Sequence, residues 1–178
     1  PLRGYSEQSD LPLLMRQWGL AMAGDMIIAD RKRAQRVAAG RDARRALTDY
    51  ILWMGLGPSE MNADDPITGN IDRLNIGTAG ALRPIDGATT SFTPLVTSSD
   101  EAGLMTRDYV LSAPTPDALQ RRFAIGEAPF TIAARLSGPV ETAFADGPPA
   151  AENSKGERAK AAAHQTETAA ANIVVFAD

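Results

Sequence analysis

The apolar residues of this chain come in short runs, each closed by glycine, proline or a polar cluster, and that punctuation limits the folds open to it. Residues 26–29, 50–54, 130–136 and 173–176 form runs of four to seven residues. This is the length of a buried strand and far below the roughly 18 apolar residues of a membrane span. Residues 89–97 are dense in threonine, phenylalanine and valine, which fit a pleated surface, and residues 81–83 give a weaker strand signal. Helical signals lie between these runs. Residues 10–22 carry Leu11, Leu14, Met15, Trp18 and Met22 at helical spacing behind Asp10 as N-cap. Asp65-Pro66 predicts a second helix through Ile67, Ile71 and Leu74 to about Gly77, and Thr115-Pro116 a third, ending near Phe123. Helices mixed with short bounded strands predict an α/β layered domain, with a doubly wound sheet as its simplest form.

One segment cannot join that core. Residues 146–171 contain no aromatic or branched aliphatic side chain, so they bury too little to offset the entropy of ordering them. They read as a mobile insertion or linker, briefly helical around 157–171, between an α/β domain at 1–145 and a closing strand of the same domain at 172–178. The chain begins at Pro1 and stops at Asp178, just after an apolar run, which leads us to expect a piece of a longer polypeptide.

Composition excludes several chemistries. A net charge of −4 and a pI near 5.1 give no pull toward nucleic acid or an anionic membrane. Seven cations fall between Arg31 and Arg45; with no interleaved aromatics they read as a solvated loop or strand edge rather than a phosphate site. The absence of cysteine removes disulfides, thiolate metal sites and a thiol nucleophile. The only histidine, His164, lies in the low-complexity segment, where it reads as solvated and unsuited to a catalytic triad or metal site. The glycines from Gly69 to Gly80 lack the spacing of a Walker A or dinucleotide loop. Trp18 and Trp53 read as core residues. What remains are carboxylates at strand ends, where open α/β sheets place ligands. Asp30, Asp100 and Asp178 are the candidate ligand-facing residues, although aspartate also caps helices and forms turns. No catalytic, cofactor-binding or metal-ligating residue is assigned, and no cofactor is expected.

Several stretches, taken in order, carry a family resemblance. They are Leu13-Leu14-Met15-Arg16-Gln17-Trp18-Gly19 leading to Met26-Ile27-Ile28-Ala29-Asp30; Asp65-Pro66-Ile67-Thr68; Phe92-Thr93-Pro94-Leu95-Val96-Thr97-Ser98-Ser99; and Pro129-Phe130-Thr131-Ile132-Ala133-Ala134-Arg135-Leu136 with Asn172-Ile173-Val174-Val175-Phe176-Ala177-Asp178. Together they resemble the auxiliary component of uncharacterised ABC transport systems linked to gliding motility. The resemblance implies an extracytoplasmic, periplasmic region of a protein anchored in the cytoplasmic membrane, serving beside separate permease and ATPase subunits. It also implies a flavodoxin-like or class I amidotransferase-like sheet flanked by helices, of which this chain holds part, and it carries no catalytic residues.

The leading expectation is therefore a non-catalytic subunit that binds partner subunits or a surface polymer. The alternative is a carbohydrate- or peptide-acting hydrolase built on carboxylates or a metal. A sugar-binding module is a third reading, and it would need exposed aromatics as stacking platforms.

Overall fold

The computed structural model describes residues 11–39, 46–113, 115–147 and 164–177. It overturns the α/β expectation. Ten strands carry the described chain: β1 (Leu20–Met22), β2 (Met26–Asp30), β3 (Ala34–Ala39), β4 (Ala46–Leu56), β5 (Leu74–Gly77), β6 (Leu82–Pro84), β7 (Ser91–Thr97), β8 (Ala102–Thr106), β9 (Thr131–Glu141) and β10 (Glu167–Phe176). The α-helices are α1 (Pro12–Gln17), α2 (Arg107–Ser112) and α3 (Pro116–Arg122), each about two turns or less. Every strand pairing is antiparallel. A flavodoxin-like or amidotransferase-like sheet needs parallel strands joined by crossover helices, and no such unit is present among the described residues.

The reasons are local. Gly19, at φ 80°, breaks the helical run at 10–22; the chain turns there and continues as β1. A Cβ on Gly19 would meet the Ala88 side chain, so only glycine permits the turn. Asp10 itself lies outside the described residues. At 65–77 the cap forms without its helix. The Asp65 side chain accepts from Ile67 N at 2.9 Å, the Gly69 amide returns to the Asp65 carbonyl at 2.8 Å, and the chain then runs into β5. Only the third helix forms as its cap signal indicates: α3 starts at Pro116, and Thr115 Oγ1 accepts from Ala118 N at 3.3 Å.

The strands make three sheets. β9 is the hub of the largest, pairing with β10 over Ala133–Glu141, with β7 over Thr131–Ser137, and with β6 at Thr131. Thr131 thus has a partner on each side, so β6 and β10 follow one another along the edge of β9 opposite β7. β9 passes through Gly138-Pro139, where the residue pattern predicts its end. Pro139 fits because the β10 register slips between Thr168 and Ala171, so its missing N–H removes no ladder bond. β10 begins at Glu167, inside the segment read from sequence as linker; of the helix expected there, 157–163 lie outside the described residues and 167–171 are strand.

β2 pairs with β8, and β3, β4 and β5 form the third sheet. The β3–β4 ladder steps from Ala34–Met54 to Gln35–Tyr50, leaving Ile51, Leu52 and Trp53 without a β3 partner. This bulge lets two consecutive side chains, Ile51 and Leu52, both turn inward. Beyond it alternation resumes: Leu52, Met54 and Leu56 are fully buried, while Trp53 points out at 47% exposure. Trp53 is thus not the core residue its apolar surroundings predict. Ile28, Met54, Leu56, Leu95, Val96 and Ile132 join the sheets in the central core. Leu20, Leu82, Ala134 and Leu136 form a second core, with Trp18 packed against it.

Candidate functional site

Once Leu52, Met54 and Leu56 are committed to the core, the opposite face of β4 presents Trp53 and Gly55. The ladder sets Gly77 of β5 opposite Trp53 and Asn75 opposite Gly55. Two glycines thus lie on a diagonal of the β4–β5 ladder on the solvent face, and larger side chains lean over them. A Cβ on Gly77 would come within 3.3 Å of the Trp53 ring, and one on Gly55 within 3.4 Å of Arg73 Nη2. Tyr50 meets Trp53 edge-to-face, with centroids 5.3 Å apart and planes at 87°, and so fixes the indole. From β3, Gln35 Nε2 reaches across Gly55 to Asn75 Oδ1 at 2.9 Å. The result is a shallow face floored by backbone and bordered by an indole, two amides and a guanidinium. Among the described residues Arg73 has no carboxylate partner. Glycine inside strands is a feature of places where a ligand or another backbone approaches closely.

The carboxylates singled out from sequence lie elsewhere. Asp30, fully buried at the end of β2, has both oxygens engaged. Its Oδ1 accepts from Arg33 N at 2.9 Å and Ser99 Oγ at 2.7 Å, and its Oδ2 accepts from Ser99 N at 2.7 Å. It ties the turn after β2 to the turn after β7. Asp100, on the surface one residue beyond Ser99, pairs with Lys32 at 2.8 Å. The Lys32 hydrogen bond holds the Asp100 carboxyl below its usual range and raises the Lys32 ammonium. Asp178 lies outside the described residues. Neither Asp30 nor Asp100 belongs to the Trp53 face.

Two further carboxylates anchor the fold. Asp65 takes a two-pronged bond from Arg135, Nε to Oδ2 at 2.7 Å and Nη2 to Oδ1 at 2.8 Å, while Arg135 Nη1 donates to Asn172 Oδ1 at 2.6 Å. The Arg135 bonds, with the Ile67 amide, hold the Asp65 carboxyl below its ordinary range. Burial pushes the Glu60 carboxyl up, but donors from Gly57 N, Arg33 and Ser59 outweigh it and leave it lowered.

The basic stretch is absorbed in the same way. Arg31 lies 5.1 Å from the Phe123 ring centroid, Lys32 pairs with Asp100, Arg33 with Glu60 and Arg36 with Asp49. Arg41, Arg44 and Arg45 lie outside the described residues. His164, read from sequence as solvated, is half-buried with Nε2 2.9 Å from the Phe144 carbonyl oxygen, to which a protonated Nε2 donates.

Sequence reasoning passed over Gln35, Arg73 and Asn75 and placed Trp53 in the core. The usable signal was the alternation of Leu52, Met54 and Leu56, which places Trp53 on the other face. In the sequence Gly55 and Gly77 read as terminators, whereas both lie within strands.

The model of a family described as an ABC-type uncharacterized transport system matches residues 1–178, the whole chain. The chain belongs to that family. No curated protein and no solved structure matches it. As an auxiliary component of an ABC-type transport system it has a transporter as its setting, and the face around Trp53 is to be read in that light. No helix among the described residues is long and apolar enough to cross a membrane.

Proposed function

We propose that this chain is a non-catalytic, extracytoplasmic part of its transport system, of the kind linked to gliding motility. In this reading a membrane-anchored parent polypeptide holds it at the periplasmic face, where it docks on a permease that works with a separate ATPase. The observation that carries the reading is an apolar groove of about 480 Å³ between α1, β2, α2 and the end of β10, lined by Leu11, Met15, Trp18, Leu111 and Phe176 among others. Leu111 is 73% exposed and Leu11 53%. Large apolar side chains grouped in one exposed groove are a feature of protein–protein contact. The carboxylates Asp30, Glu60 and Asp65 are bound up with donors of the chain itself, which fits a structural rather than a chemical use.

The test is a detergent pull-down of the tagged parent protein, with and without Leu111→Asp. The expected result is recovery of permease and ATPase in a fixed ratio by the unaltered protein. Leu111→Asp, at a site too exposed to disturb the core, should lose them. Recovery of the protein alone would refute the docking role.

A further inference from the structure

We infer that the solvent face of β3, β4 and β5 around Trp53 is a binding site for an acidic polysaccharide, one whose sugar rings carry carboxylates. The inference goes beyond the docking role proposed above and concerns a different face, which shares no lining residue with the apolar groove. Each border of the face matches one part of such a sugar. The exposed Trp53 indole, braced by Tyr50, offers a flat apolar ring to the C–H face of a pyranose. Arg73, which leans over Gly55 and has no carboxylate partner among the described residues, offers a planar fork to a carboxylate. Asn75 and Gln35 spend one donor and one acceptor on each other and keep an amide donor and an amide acceptor for hydroxyls. Gly55 and Gly77 keep the floor low between these groups.

The spacing suits a ring rather than a point ligand. Trp53 and Gly55 are two residues apart on one strand face, about 7 Å along the backbone of β4, and the guanidinium lies above the second of these positions. An alternative use of Trp53 is as a cover for the backbone at Gly77, as aromatic side chains do for strand glycines. That use accounts for the indole over Gly77. It leaves unexplained a guanidinium over the neighbouring glycine with no acid to meet it.

The experiment is calorimetric titration of the whole chain with oligogalacturonate, a neutral maltooligosaccharide and a polyglutamate peptide, with folding of each variant checked by circular dichroism. Oligogalacturonate should bind, and the neutral sugar should bind about tenfold or more weakly for want of the charge-assisted pair. Trp53→Ala should weaken oligogalacturonate by about tenfold or more. Arg73→Gln, an exposed change that leaves the indole in place, should erase the preference for acid over neutral sugar. Failure of the folded chain to bind oligogalacturonate would overturn the assignment. So would binding that neither variant alters, or polyglutamate binding as tightly, which would make the face a protein contact. Co-purification of permease and ATPase with a chain that ignores the sugar sinks this assignment and leaves the docking role standing; sugar binding without co-purification does the reverse.

Discussion

Replacing Asp30 by asparagine separates a structural carboxylate from a ligand-facing one. Asp30 is fully buried and accepts three hydrogen bonds, two on Oδ1 and one on Oδ2. Asparagine with its oxygen toward Arg33 N and Ser99 Oγ keeps two of them but sets its NH₂ against the Ser99 amide; flipped, it keeps the Ser99 amide bond, sets its NH₂ against Arg33 N, and holds Ser99 Oγ only by reversing that bond. Either way a donor on a buried residue is stranded and the charge that strengthened the remaining bonds is gone. Hydrogen bonds to a charged group contribute about 1.5–3 kcal/mol and a stranded buried donor costs about 1–3 kcal/mol, which together indicate a loss of roughly 2–4 kcal/mol. For a chain of this size each kcal/mol shifts the melting temperature by about 2–4 °C, so a fall of roughly 5–15 °C is expected. The assay is thermal denaturation by circular dichroism, with Asp100→Asn as the control. Asp100 sits in an exposed pair with Lys32, and its variant should melt with the unaltered chain. An Asp30→Asn protein that melts within a degree or so of the unaltered chain would refute the reasoning, because the bonds to a fully buried carboxylate cannot be disturbed for nothing.

Three other outcomes follow from the same geometry. Gly103→Ala in β8 would drive a Cβ into the Ala124 carbonyl and toward Phe123, so chemical denaturation should show a loss of about 1–3 kcal/mol or more. Thr115→Ala removes the only side-chain cap of α3 and should cost about 1 kcal/mol in the same assay. Asp65 and Glu60 have folded pKa values below their ordinary ones, so each favours folding above its unfolded pKa, about 4, and that contribution fades as pH falls through the folded value. Urea midpoints should therefore decline in the acid range below about pH 4, and the decline should be shallower in Asp65→Asn, which begins from a lower stability at neutral pH.

Much of the strand content was legible because it is written locally. The run at 26–29 became β2, 50–54 lies within β4, 89–97 contains β7, and 130–136 and 172–177 mark β9 and β10. The cap at Thr115 was legible for the same reason, since a cap depends on the next three residues alone. The helix read at 65–77 was not, because an Asp-Pro cap signals a turn as readily as a helix. There the partners that decide between them, Arg135 and Asn62, lie 70 and 6 residues from the groups they bond. The Trp53 face was illegible for a related reason. Its four bordering side chains come from three strands and the residue just before β5, and a bulge in β4 sets the phase that turns the indole outward.

By itself the sequence determined where β2, β4, β7, β9 and β10 lie, that the chain has no cysteine chemistry, and which family it belongs to, since each is a matter of residue identity and short-range order. The tertiary structure alone decided that the strands run antiparallel around β9, because pairing direction depends on which distant segments meet and on whether the intervening chain is long and regular enough to cross over as a helix. It also decided the fate of the charges. Asp30, Glu60 and Asp65 face inward to donors of their own chain, while Trp53 and Arg73 face water above two glycines. A carboxylate does one job or the other according to whether burial brings it donors, and only the fold places donors around it.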